Sequence, residues 1–227
     1  MQNAKFTRKK TPEISEFADD DAKMHTGFTN YLFSRLHKHD NSKYEQIMDV
    51  LEDVYTYKAS GRDYSDYDMF ITGHSLGGAL TQIMAFTLAG SQRAREFLPA
   101  GKPVTAMSYA SPEVGSKGYL KKFNELEKKG ALRHIRVSNQ GDAVPIAFNT
   151  GTPWAGFKQP GVNVHISPNK KAVVGHNTIQ KFAINPLKAL ERHSPLSHRK
   201  HLFLENGLND EILLKSVEEI YAEHANL

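Results

Sequence analysis

Residues 68–86, DMFITGHSLGGALTQIMAF, compress three glycines and a serine into a six-residue bend between two apolar runs. The run before the bend is short and bounded by polar residues, which predicts a buried strand. The run after it, Leu76 to Gly90, is apolar nearly all round and predicts a buried helix. Gly73-His74-Ser75-Leu76-Gly77 is a G-x-S-x-G pattern placed at that strand-to-helix junction, where it reads as a nucleophile elbow. Glycines two places before and two after the serine remove Cβ atoms that would collide in so tight a turn. The serine is then held in a strained conformation with its Oγ raised above the sheet. The Leu76 N–H points the same way, and the helix dipole adds favourable potential for a developing oxyanion. A phosphate cradle would need Gly-Lys-Ser/Thr at the helix start, whereas Gly77-Gly78 leads into Ala79-Leu80.

The rest of the chain alternates in the same sense. PVTAMSYA (103–110), LRHIRVS (132–138) and, more weakly, VNVHIS (162–167) read as strands. A helix over about 116–128 separates the first two. Crossovers of this kind predict an α/β domain with a mainly parallel sheet. Upstream, Phe28, Tyr31, Leu32 and Leu36 share a helical face. Ser42 to Glu45 forms a capping box, followed by Tyr44, Ile47, Met48, Leu51, Val54 and Tyr55 at helical spacing. A final helix is expected from about Asn209, with Leu213, Val217, Ile220 and Tyr221 on one face. Residues 1–23 show no period and read as an irregular N-terminal segment. With no repeat and no linker, residues 1–227 read as one domain.

Composition narrows the chemistry. The chain has no cysteine, which excludes disulfides, thiolate catalysis and Cys-based metal or iron–sulfur sites. Its net charge of +4 is spread over small clusters such as Lys121–Lys122 and Lys170–Lys171, so no nucleic-acid partner is expected. Spread positive charge is compatible with peripheral contact with a lipid surface. No apolar run is long enough for a transmembrane segment. No signal peptide is visible at the start, which leaves the cytoplasm as the default compartment.

A serine hydroxyl needs a base, and the base an acid to orient it. Asp142 lies just after the 132–138 strand, in a Gly-Asp-x-x-Pro turn, where spacing alone supports an orienting acid and an ordinary Asx-turn aspartate equally. Downstream of it His165, His176, His193, His198, His201 and His224 all stand as candidates for the base. Residue chemistry alone leaves that choice open.

Several segments, taken in order, resemble the class 3, or fungal-type, triacylglycerol lipase family: ITGHSLGGAL (71–80), His25-Thr26-Gly27-Phe28, SYASPEVGS (108–116), RHIRVSNQGDAVP (133–145) and HSPLSHRKHL (193–202). The resemblance covers about residues 24–204. It implies an α/β-hydrolase fold with helices on both faces of the sheet, and serine esterase chemistry on acylglycerols or other lipid esters. It places the triad at Ser75, Asp142 and His193, with Leu76 as oxyanion donor and no metal or cofactor. His198 and then His165 are the next choices for the base. His198 stands where the family usually has tyrosine. The family's F-R-G-T-like segment, which supplies a second oxyanion donor, has no counterpart before His25; Thr7 or Thr11 is the nearest offer. The N-terminal strands therefore read as missing, through truncation or divergence. A catalytically impaired lipid-binding relative and a lipid acyltransferase remain alternatives. Pro145, Ile146, Phe148, Pro153, Trp154 and Phe157 are candidates to line an acyl groove.

Overall fold

A computed structural model describes residues 8–9, 12–15, 18, 21–37, 40–56, 63–146, 158–168, 170–175 and 186–204. In chain order the elements are β1 (Arg8–Lys9), α1 (Pro12–Ser15), β2 (Met24–His25), α2 (Thr26–Phe33), α3 (Lys43–Thr56), β3 (Phe70–His74), α4 (Leu76–Gly90) and α5 (Gln92–Phe97). There follow β4 (Val104–Tyr109), α6 (Lys117–Lys128), β5 (Leu132–Asn139), a 3₁₀ turn (Val144–Ile146), β6 (Val162–Ser167), β7 (Lys170–Gly175), α7 (Pro186–His193) and α8 (Pro195–Leu204). The main sheet runs β3-β4-β5-β6-β7. Its first four strands are parallel, and β7 returns antiparallel to β6. α4 lies in the crossover from β3 to β4 and α6 in that from β4 to β5.

The core lies under α4 and α6. On β4 the alternation puts Val104, Ala106 and Ser108 inward and leaves Thr105, Met107 and Tyr109 half-exposed. The inward face meets Ile83 and Phe86 of α4 and Tyr119 and Phe123 of α6. Phe86 stacks on Phe123 at 5.9 Å and meets Tyr119 at 4.8 Å. α4 is buried from Gly78 onward apart from Leu80, as its all-round apolar sequence requires. The opposite face is covered near the strand ends by α8, where Asn139 of β5 bonds Ser197. Further along it Phe70 stays 72% exposed.

The capping box forms: Ser42 N–H donates to the Glu45 carboxylate at 2.7 Å and Glu45 N–H to Ser42 Oγ at 3.2 Å. The apolar stripe after it is narrower than its sequence suggests. Tyr44, Met48 and Tyr55 are buried and Leu51 packs beside them, a four-and-three spacing, whereas Ile47, Val50 and Val54 face outward. α2 also turns a different face. It ends at Phe33, buries Thr29 and Leu32, and leaves Tyr31 exposed and Leu36, beyond the helix, 92% exposed. Within residues 1–23, β1 pairs antiparallel with β2 and one helical turn buries Ile14. Elements of two and four residues are too short to carry a period. The helix expected from Asn209 lies outside the described residues.

Candidate active site

β3 delivers the chain to the elbow. Ser75 has φ 56° and ψ −122°, a left-sided conformation that L-residues avoid. Its N–H is tied to the Tyr109 carbonyl at the end of β4 at 2.9 Å. Ser75 takes the N-cap position of α4 without using its side chain as a cap, which leaves Oγ available. The Leu76 amide opens α4 and has no carbonyl one turn before it within the helix.

The glycines divide differently from the sequence reading. A Cβ at Gly73 would lie 2.5 Å from the Gly77 carbonyl carbon and 2.7 Å from Thr81 Oγ1, so this glycine is needed for close approach. A Cβ at Gly77 would meet nothing within 4 Å, so Gly77 does not relieve a collision. The second tight position is Gly78, where a Cβ would come 2.9 Å from that of Ser111. The strand passes under the first turn of the helix, and Gly78 rather than Gly77 faces the loop after β4.

Asp142 follows β5 in a turn in which Gly141 has φ 84°. Its Oδ1 accepts from Val144 N–H at 2.9 Å, so it does form an Asx-turn. The same carboxylate faces His193 Nδ1, with Oδ1 at 3.1 Å and Oδ2 at 3.0 Å. A carboxylate oxygen only accepts, so Nδ1 carries the hydrogen and Nε2 presents its lone pair. Ser75 Oγ stands 2.8 Å from that Nε2. The Asp142 side chain is fully buried and that of His193 is 18% exposed, so one end of the relay is dry and the other open.

The other histidines lie elsewhere. His165 Nδ1 meets Ser138 Oγ at 2.9 Å, and burial lowers its pKa. His198 Nδ1 donates to the Ser194 carbonyl at 3.0 Å; burial is the main cause of its lowered pKa. His201 Nε2 accepts from the Arg192 guanidinium at 2.9 Å and its Nδ1 donates to Asn139 Oδ1 at 2.6 Å. Burial, with Arg192 adding to it, brings His201 down to about 4. His176, His224, Thr7, Thr11, Phe148, Pro153, Trp154 and Phe157 lie outside the described residues. Pro145 is buried, and its carbonyl accepts from Gln159 Nε2 at 3.2 Å. Sequence reasoning treated His74 only as part of the elbow and passed over Asn139. Both hold the chain around His193: His74 Nε2 donates to the His193 carbonyl at 2.7 Å and Asn139 Nδ2 to that of Arg192 at 2.9 Å. A polar residue closing a buried strand was the available signal for Asn139.

A mainly parallel sheet with a serine at a strand-to-helix elbow, an acid in the turn after a later strand and a histidine at the end of a later helix fits the α/β-hydrolase class. Solved structures agree on the fold. The triacylglycerol lipase from Penicillium expansum superposes with a TM-score of 0.54 at 20% identity, over 78% of this chain and 59% of that one. Lip2 lipase from Yarrowia lipolytica gives 0.56 at 20% identity, over 84% and 62%. Residues 2–151 match the family model of the class 3 lipases, and the chain belongs to that family. Among its relatives is Phospholipase A1-II 6 of Oryza sativa subsp. japonica, 36% identical over 129 residues, which are 55% of this chain and 31% of the relative. The matches span between 15% and 36% of the length of the curated relatives. Among the described residues no helix is long and apolar enough to cross a membrane.

Proposed function

We propose that the chain is a serine carboxylic-ester hydrolase of lipid esters, with Ser75, His193 and Asp142 as its catalytic residues. Ser75 Oγ attacks the ester carbonyl carbon while its proton passes to His193 Nε2. Asp142 holds the Nδ1–H and stabilises the imidazolium that forms. The oxyanion meets the Leu76 N–H at the N-terminus of α4. As the tetrahedral adduct collapses, His193 returns the proton to the departing alcohol. Water then gives a proton to the same nitrogen and attacks the acyl-enzyme, releasing the acid and restoring Ser75. The observation that carries the reading is the 2.8 Å approach of His193 Nε2 to Ser75 Oγ across 118 residues of sequence, with Asp142 behind it. Membership in a lipase family and the phospholipase and lipase names of the relatives support acyl glycerolipids as the substrate class. Leu76, Leu190 and Leu196, exposed on the elbow, α7 and α8, support contact of this end with a lipid surface.

The test is hydrolysis of phospholipid vesicles and triacylglycerol emulsions, with fluorophosphonate labelling in parallel. Ser75→Ala should remove labelling and lower turnover by at least about 10⁴-fold. A folded wild-type chain that takes no label and releases no fatty acid overturns the proposal in favour of a lipid-binding relative without catalysis.

A further inference from the structure

His193 stands at a helix break. α7 ends on it, and α8 begins at Pro195, which has no N–H to offer the carbonyls behind it. Ser194 N–H turns back to the Glu191 carbonyl at 3.1 Å, and the carbonyls of Arg192 and His193 lie past that turn. Side chains take up these two, Asn139 Nδ2 that of Arg192 at 2.9 Å and His74 Nε2 that of His193 at 2.7 Å, while the Ser194 carbonyl accepts both the N–H of His198 at 3.2 Å and its Nδ1 at 3.0 Å. Two of these donors come from the sheet, His74 closing β3 and Asn139 closing β5. The His74 ring also lies 4.8 Å from the His193 ring and meets His198 edge-on at 5.8 Å.

We infer that His74 is a positioning residue: with Asn139 it clamps the backbone on both sides of the His193 Cα, so that the imidazole is held between Asp142 and Ser75. The inference rests on the ester-hydrolase reading of Ser75. His74 is the residue before the nucleophile in the chain, so one strand end fixes both Ser75 and the backbone of its base. The clamp joins residues 119 positions apart for His74 and 53 apart for Asn139. Carbonyls only accept, so His74 Nε2 carries a hydrogen while it clamps. The bond also lies outside the line of proton transfer: it reaches the main chain of His193, not the ring, and His74 orients the base without exchanging protons with it.

The experiment compares His74→Phe, which keeps a ring and removes the donor, with His74→Gln, which keeps an N–H donor. Misplacing a catalytic group by about 1 Å costs about 100-fold. His74→Phe should therefore lower kcat about 10- to 100-fold with KM changed less than about twofold, and His74→Gln should recover most of the loss. The His193 Nδ1 proton resonance should weaken in the Phe variant and return in the Gln variant. His74→Ala serves as the donor-less variant if the Phe variant misfolds. A donor-less variant with wild-type kcat, a loss confined to KM, or a folded Gln variant that recovers nothing overturns the inference. If wild-type protein hydrolyses no ester, the functional reading fails, and the Nδ1 resonance in the same variants still decides the clamp.

Discussion

Asp142 and Glu113 occupy comparable places, in the loops after the neighbouring strands β5 and β4, and both are almost wholly buried. Asp142 has donors aimed at it: His193 Nδ1 at 3.0–3.1 Å and Val144 N–H at 2.9 Å. Neither carboxylate oxygen of Glu113 has a hydrogen-bond partner among the described residues. Burial pushes Glu113 up to about 7, against the opposing pull of Lys158 and Arg136. Arg136 is placed likewise: among the described residues its Nε and one terminal nitrogen lack hydrogen-bond partners, and burial brings it down to about 10. The two charges feel each other without touching. Fixed donors that meet its oxygens hold a buried carboxylate in place; burial by itself only makes ionisation unfavourable.

The comparison breaks most visibly at Asp142→Asn. The amide keeps the shape but cannot hold the His193 tautomer that leaves Nε2 bare towards Ser75. The expected loss in kcat is about 10⁴-fold, or about 5.5 kcal/mol. Initial rates at saturating substrate measure it, with urea unfolding as the check that the fold persists. A loss below tenfold would mean that Asp142 serves its turn and not the histidine.

Glu113→Gln addresses the other side. The Glu113 pKa is raised on folding, from an ordinary 4.5 to about 7, so between those values the native state binds the proton that the unfolded chain has released. Stability should therefore fall as pH rises from about 4.5 to 7 and level off above that. The gap of about 2.5 units corresponds to at most about 3 kcal/mol. Gln carries no charge to desolvate, so the variant should match wild type near pH 4.5 and exceed it by up to that amount at pH 8. Urea unfolding across the range checks this. A difference independent of pH would show that Glu113 finds partners in solution.

How much of this was legible follows from the range of the interactions. The elbow, the Ser42 capping box, the strands β3 to β6 and the position of Asp142 after β5 all rest on residues within a few places of one another. His193 could be chosen among six histidines only through the family resemblance, because its partners lie 51 and 118 residues away. The α7–α8 corner, the role of His74 and the use of Asn139 depend on contacts of the same reach. β7 and α5 went unread. Lys170–Gly175 is an edge strand whose Val173 and Val174 are both exposed, so it has no alternating pattern to detect. Gln92–Phe97 is six residues long, less than two turns. The misassigned glycine has another cause. G-x-S-x-G is symmetric about the serine, whereas a strand crossing beneath a helix is not.

That asymmetry gives the smallest and sharpest expected effect, and it concerns where the Ser75 end of the molecule holds its constraint. A Cβ at position 73 would press on the Gly77 backbone, which cannot move without moving α4, so Gly73→Ala should destabilise by about 1–3 kcal/mol, as overpacking does. Position 77 has open space and sits in the first turn of α4, where Gly spends more chain entropy on folding than Ala. Gly77→Ala should therefore stabilise by about 0.5–1 kcal/mol, read as a higher urea midpoint at unchanged slope. The two variants should move in opposite directions although they stand equally far from Ser75 in the chain. If Gly77→Ala instead destabilises as much as Gly73→Ala, the elbow needs both glycines, and the open space beside Gly77 is filled in solution by something the described residues do not contain.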